Sequence, residues 1–205
     1  MCRFKSCRER YALVAERNMR RAKDPRRTKI HVSSNLTKGI SVMVTQTGKE
    51  IGMAKDSLTA SSALVKEFHR RYRVHPTEAV IHKLMYLVQR KSLIEKDKIL
   101  FSEMFQAWRF GPVLPRIRAE FRTGNMLHGI SGNVSTDSEK LISTVLDRYG
   151  ELSVWDLSCL CHQELSWQIA RDGLAPSENG NVKISINAMM LDVIHQKILR
   201  TRHET

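Results

Sequence analysis

Side chains that can hold a metal, move a proton or attack a substrate set the first limits on what this chain does. The densest group of candidate metal ligands is Cys159-Leu160-Cys161-His162. On a helix, residues two apart point about 200° from each other, so Cys159 and Cys161 would not face one ion. A tetrahedral zinc site would need further ligands, such as Cys2, Cys7 or His128. The two cysteines read instead as small buried thiols. His162 reads as a ring that bonds a nearby backbone group or the Trp167 loop. No metal is expected.

The carboxylates offer no better chemistry. Glu95, Asp97, Glu103 and Glu120 are interspersed with Lys and Arg, the pattern of a solvated surface. The chain has no glycine-rich phosphate loop, no His-Glu-x-x-His pair and no nucleophile elbow. No catalytic residue and no cofactor are assigned, and the chain reads as a non-enzyme.

The run Trp108-Arg109-Phe110-Gly111-Pro112 is of a different kind. Gly111 allows a backbone turn that other residues resist, and Pro112 is placed to fix the start of the following helix. Trp108 and Phe110 bring large apolar surface to either side of that turn. As a structural corner, the run would pack on a central helix. As a binding element, Trp108 or Arg109 would be partly exposed and anchor a partner. Both roles can coexist. The cluster Arg70-Arg71-Tyr72-Arg73 is open in the same way, to favourable charge at a helix C-terminus or to an acidic partner.

The elements that must position these residues are helical. Thr59 or Ser61 is expected to cap a helix running to about Arg73, with Leu64, Val65 and Phe68 inward. His75-Pro76-Thr77-Glu78 restarts a helix reaching about Arg90, whose Ile81, Leu84, Met85 and Val88 form a buried face widened by Tyr86 and Leu87. That helix is expected to be central. Further helices are expected over Pro112–Arg122, over the stripe Leu141, Ile142, Val145, Leu146 and Tyr149, from a Ser153 cap with Asp156 three residues on, and from Asn187 through Leu199. Val182 to Ile186 is the one plausible short strand. The fold class is all-α: a compact multi-helix domain with a basic N-terminal extension.

Composition fits a globular domain, with 41% hydrophobic and 27% charged residues. The longest apolar run, Leu84 to Val88, is far short of the roughly 20 residues that span a bilayer. Four cysteines in two distant pairs are too few for a secreted disulfide framework, so a reducing cytoplasm is expected. The net charge of +13 is unevenly spread. Residues 1 to 52 hold 13 Lys or Arg against four acids, which leaves only +4 for the remainder. Within that arm, Arg8 to Ala22 suits a basic amphipathic helix, with Tyr11, Val14, Ala15, Met19 and Ala22 on one stripe, ended by Pro25. Lys29 to Gly52 reads as loop or disorder, so the extension is expected to be partly disordered. The arm is open to three readings: a grip on nucleic-acid phosphates, a solvated tail, or a stretch upstream of the native start, since Met43 and Met53 precede the organised part.

Three runs in order resemble a known family. Lys83-Leu84-Met85-Tyr86-Leu87-Val88-Gln89 looks like the Lys-Leu-x-Tyr-x-x-Gln helix of the Panacea (SocA-like) domain. Ala107-Trp108-Arg109-Phe110-Gly111-Pro112-Val113-Leu114-Pro115 is similar to that family's Ala-Trp-x-x-Gly-Pro-Val-x-Pro. Leu157-Ser158 through His162 to Trp167 resembles its Leu-Ser-x-x-Thr-His-x-x-x-Pro-Trp, with Cys161 in place of Thr and Ser166 in place of Pro. The resemblance implies a prokaryotic or phage-borne antitoxin, with residues 1–58 as an extension and 59–205 as the domain. It implies a cognate toxin, encoded by a neighbouring gene, that is neutralised by direct contact, and in one branch delivered to a protease. The partner-binding or structural motif it marks comprises Lys83, Tyr86, Gln89, Trp108, Arg109, Gly111, Pro112, Pro115, His162 and Trp167. The alternative function is a nucleic-acid-binding regulator that uses the basic arm.

Overall fold

A computed structural model describes residues 56–201, with side chains described as far as 194. The expected arm helix and the loop after it lie outside these residues. The elements below belong to one compact unit, Gly52–Asp172 with Glu178–Thr205. They are α1 (Ser57–Tyr72), α2 (Glu78–Lys96), β1 (Gln106–Trp108), β2 (Gly111–Val113), α3 (Pro115–Arg122), α4 (Thr136–Tyr149), α5 (Val154–His162), α6 (Leu165–Ala170) and α7 (Ile186–Thr201). The fold is mostly helical, as expected, with one small sheet.

The second helix is the axle of this fold. Ile81 to Arg90 is buried without interruption, so α2 is covered on all sides rather than along one stripe. It packs against α1, α3, α4, α5, α7 and β2. Thr77 caps it by accepting from the Val80 N–H at 3.4 Å, and Glu78 meets the positive helix end. The helix runs past the expected end near Arg90 to Lys96. Nothing in Lys91–Lys96 breaks a helix, and a Lys91–Glu95 pair at 2.5 Å supports the added turns. Asp97, at φ 51°, ends it.

The Ser153 cap falls where it was expected, and among the several caps offered by residues 135–139 the structure uses Ser135. Ser135 and Ser153 cap α4 and α5 by accepting from the N–H three residues on. Helix α1, in contrast, starts at Ser57, not after Thr59 or Ser61. Glu103 Oε1 caps it from 46 residues away, accepting from Ser57 N at 3.2 Å and Ser57 Oγ at 3.0 Å. Arg116 joins the same carboxylate at 2.8 Å and also bonds Asp56.

The largest departure is at Pro112. It does not begin a helix but sits in β2; Pro115 occupies the first position of α3. Gln106↔Val113, Ala107↔Pro112 and Trp108↔Gly111 pair as an antiparallel hairpin, with Arg109 and Phe110 at its tip. The Val182–Ile184 backbone bonds the other edge of β1, through Ala107 N to Val182 O at 2.8 Å and Ile184 N to Phe105 O at 2.7 Å. The expected strand near Val182 is therefore a short third edge. Three-residue strands are too brief to show a period of two, which hid the hairpin. Helix α6 escaped notice for the same reason of length.

A candidate partner-docking hairpin

The hairpin is fixed from below by groups on two helices. Lys83, on α2, is only 3% exposed and lies beneath the turn. A Cβ placed on Gly111 would fall 3.0 Å from Lys83 Cε and 3.7 Å from Cys161 Cβ. Gly111 also has φ +105°, a conformation that side chains resist. Glycine is needed here twice over, for the turn and for the close approach of the lysine stem. Burial depresses the Lys83 ammonium pKa.

One residue earlier on α2, His82 fixes the hairpin's exit. Its Nδ1 accepts from the Leu114 N–H at 3.2 Å, which places its proton on Nε2, 3.2 Å from Glu78 Oε1. Burial first, then the nearby Lys83 and Arg118 charges, push His82 down to about 3, so the ring is neutral. Glu78 in turn takes Arg118 at 2.8 Å.

From the other side, α6 holds the carbonyls of β1. Trp167 Nε1 donates to Trp108 O at 3.1 Å, and Arg171 Nη1 donates to Ala107 O at 3.0 Å. The His162 ring stacks on Trp167 with centroids 4.2 Å apart, and it hydrogen-bonds the backbone of Arg109. Burial, with Lys83 and Arg171 nearby, pushes His162 down to about 4. His162 is thus a neutral packing ring.

Above this support the tip faces solvent. Trp108 is half-buried, with its indole N–H donated to Gln106 Oε1 at 2.9 Å. Phe110 is 57% exposed, and the Arg109 guanidinium lies 4.4 Å over its ring. An exposed aromatic–cation pair of this kind is a common anchor in protein interfaces. The structure gathers Lys83, Trp108, Arg109, Gly111, Pro112, His162 and Trp167 into one assembly.

Three motif residues lie elsewhere. Tyr86 hydroxyl contacts Ser166 Oγ at 2.6 Å and donates to Asp192 Oδ2 at 3.2 Å, while the Ser166 N–H donates to Asp192 Oδ1 at 2.9 Å. Tyr86 therefore ties α2 to α6 and α7. Gln89 clamps the loop after α2, accepting from Leu100 N at 2.8 Å and donating to Phe101 O at 3.0 Å. Pro115 starts α3 and is exposed. Sequence reasoning missed His82, Arg171, Ser166 and Asp192.

Cys161 is a free thiol, fully buried and pushed up to about 12 by that burial. Cys159 corrects the expectation of two buried thiols: it is only half-buried. Among the described residues no group of three or more His, Cys, Asp or Glu is placed to hold a metal ion. In the same residues no helix is long and apolar enough to cross a membrane.

No curated protein and no solved structure matches this chain. A family model does match, over a segment that begins within α2, contains the whole hairpin and ends within α6. Residues 81–168 of this chain match the family described as antitoxin SocA-like, Panacea domain.

Proposed function

We propose that this protein is an antitoxin that neutralises a cognate toxin by direct contact, and that the hairpin tip is part of the contact surface. The family match supports an antitoxin-type role and a protein partner. The observation that carries the finer reading is the pairing of exposed Phe110 and Arg109 on a turn whose base is immobilised by Lys83, Trp167 and Arg171. Pre-ordering lowers the entropy lost on binding, so an exposed aromatic on a fixed turn binds better than one on a loose loop.

In this reading residues 59–205 are the working unit, the protein acts in the cytoplasm, and it works by occlusion rather than catalysis. Delivery of the bound toxin to a protease is a variant that adds degradation to capture. Co-expression with the product of the adjacent gene provides the test. A toxic neighbour should be rescued by the wild-type chain and not by the Phe110→Ala, Arg109→Glu double variant at equal soluble level. Rescue by that variant would remove the tip from the contact, and a neighbour that is harmless, or toxic but never rescued, would overturn the antitoxin reading.

A further inference from the structure

On α5 and the turn before it, six consecutive residues, Glu151 to Asp156, are all exposed. Three of them are large and apolar: Leu152, Val154 and Trp155, the last 48% exposed. The hairpin is stitched to α6 and α2, whereas this corner projects from the junction of α4 and α5. Ser153 caps α5, so Val154 and Trp155 fall in its first turn, while the following Leu157 is fully buried. The capped turn holds the indole outward on an ordered backbone. Exposed apolar residues scattered singly are ordinary, but three within four residues form a patch.

The charge around this patch runs against that of the chain. Glu151 and Asp156 flank it, and neither enters an ion pair among the described residues. Asp156 accepts a hydrogen bond from Ser153 Oγ at 2.6 Å. The neighbouring Asp147 is engaged by Arg71, and Arg148 lies over the Tyr149 ring. Two carboxylates without an ion pair among the described residues thus frame an exposed indole in a chain of net charge +13.

We propose that this corner is a second docking site, taken by a basic, apolar peptide segment of another protein. Its apolar residues would cover Leu152, Val154 and Trp155, and its Lys or Arg side chains would pair with Glu151 and Asp156 and stack on the indole. An acidic segment is disfavoured by the same two carboxylates. The site is separate from the hairpin tip and does not depend on the antitoxin reading.

The test uses the full-length chain and a labelled amphipathic Lys/Leu peptide, with a Glu/Leu peptide of equal length as control. Binding is followed by peptide anisotropy and by tryptophan emission, which Trp155 should report with a blue shift. The Lys/Leu peptide should bind, despite the net positive charge of the protein, and the Glu/Leu peptide should not. Trp155→Ala and the Glu151→Lys, Asp156→Lys pair should each weaken binding by about tenfold or more. Trp155→Ala should melt as the wild type does, while the charge pair, which takes Asp156 from the first turn of α5, should melt slightly lower and keep the wild-type helical signal in far-ultraviolet circular dichroism. Phe110→Ala should bind the peptide as the wild type does. Equal binding of the two peptides, or wild-type affinity in the Trp155 or charge variants, would overturn the proposal.

Discussion

Around Tyr86, buried polar groups from three helices satisfy one another: a hydroxyl, a serine and both oxygens of Asp192. At the hairpin tip, 24 residues along the same chain, Phe110 and Arg109 turn outward and meet each other rather than the core. Both regions answer to the same central helix. Tyr86 reaches out from α2 to hold α6 and α7, and Lys83, one turn earlier, lies under Gly111. The difference is where the bonding stops. The seam closes on itself, and the hairpin is bonded on its carbonyl side and left open at its tip. A motif shared by both regions therefore mixes residues that hold the fold with residues it presents. Substitution should separate the two by opposite effects on stability and binding.

The largest effect is expected in the seam. Asp192→Ala removes the acceptor for both the Ser166 N–H and the Tyr86 hydroxyl inside a buried site. A buried donor left without a partner costs its full desolvation, so the variant should lose about 3 kcal/mol in urea unfolding at constant pH. Asp192→Asn keeps an acceptor oxygen and should recover at least about half of that loss. If Asp192→Ala unfolds like the wild type, the seam is not what holds α7.

A smaller effect sharpens the seam by pH. Burial pushes the Glu164 carboxyl up to about 7, against the pull of Arg90 3.1 Å away and with a further upward push from Asp192. In the unfolded chain the same group titrates near 4.5. The folded state therefore binds this proton more tightly. The resulting stability is fully present below about 4.5 and is lost as pH rises through about 7. The full shift corresponds to about 3 kcal/mol, and relaxation around the ionised group should reduce this to about 2. Glu67, held down at about 2 chiefly by Arg70, has the opposite sign but titrates below this window. Between roughly pH 5 and 8, wild-type stability should therefore fall more steeply than that of Glu164→Gln, by about 2 kcal/mol in total. Parallel profiles would mean that Glu164 does not titrate as its surroundings require.

Much of the seam's frame was legible in the chain, because its signals are local. The apolar spacing of Ile81, Leu84, Met85 and Val88, and the cap at Ser153, are written within four residues of where they act. What could not be read depends on partners far away. Glu103 caps a helix 46 residues earlier, and Asp192 joins Tyr86 across 106 residues. Pro112 carried a local signal for a helix start, and pairing with Ala107 overrode it. Ser166 is the most instructive case. It stands where the resemblance would put proline, and a proline has no N–H to give Asp192 and no hydroxyl for Tyr86. The departure is thus matched by a carboxylate on α7. For the ten motif residues the family pattern left open which are buried and which are presented, and burial separates Tyr86 from Arg109.

The smallest stability effect, and the most informative one, is expected at the tip. Phe110 is 57% exposed and touches the Arg109 guanidinium. Truncating it removes little that folding had buried, so Phe110→Ala should stay within about 0.5 kcal/mol of wild type in urea unfolding. The same change removes the largest apolar side chain at the tip, and loss of such an anchor should weaken binding of the cognate partner by about 2 kcal/mol or more, roughly thirtyfold in Kd. Asp192→Ala should do the reverse: destabilise strongly, while the fraction still folded binds with wild-type affinity in a calorimetric titration. The two variants together test whether the regions are separable. A Phe110→Ala protein that loses several kcal/mol of stability would place the tip inside the fold's own bonding and end its reading as a presented surface.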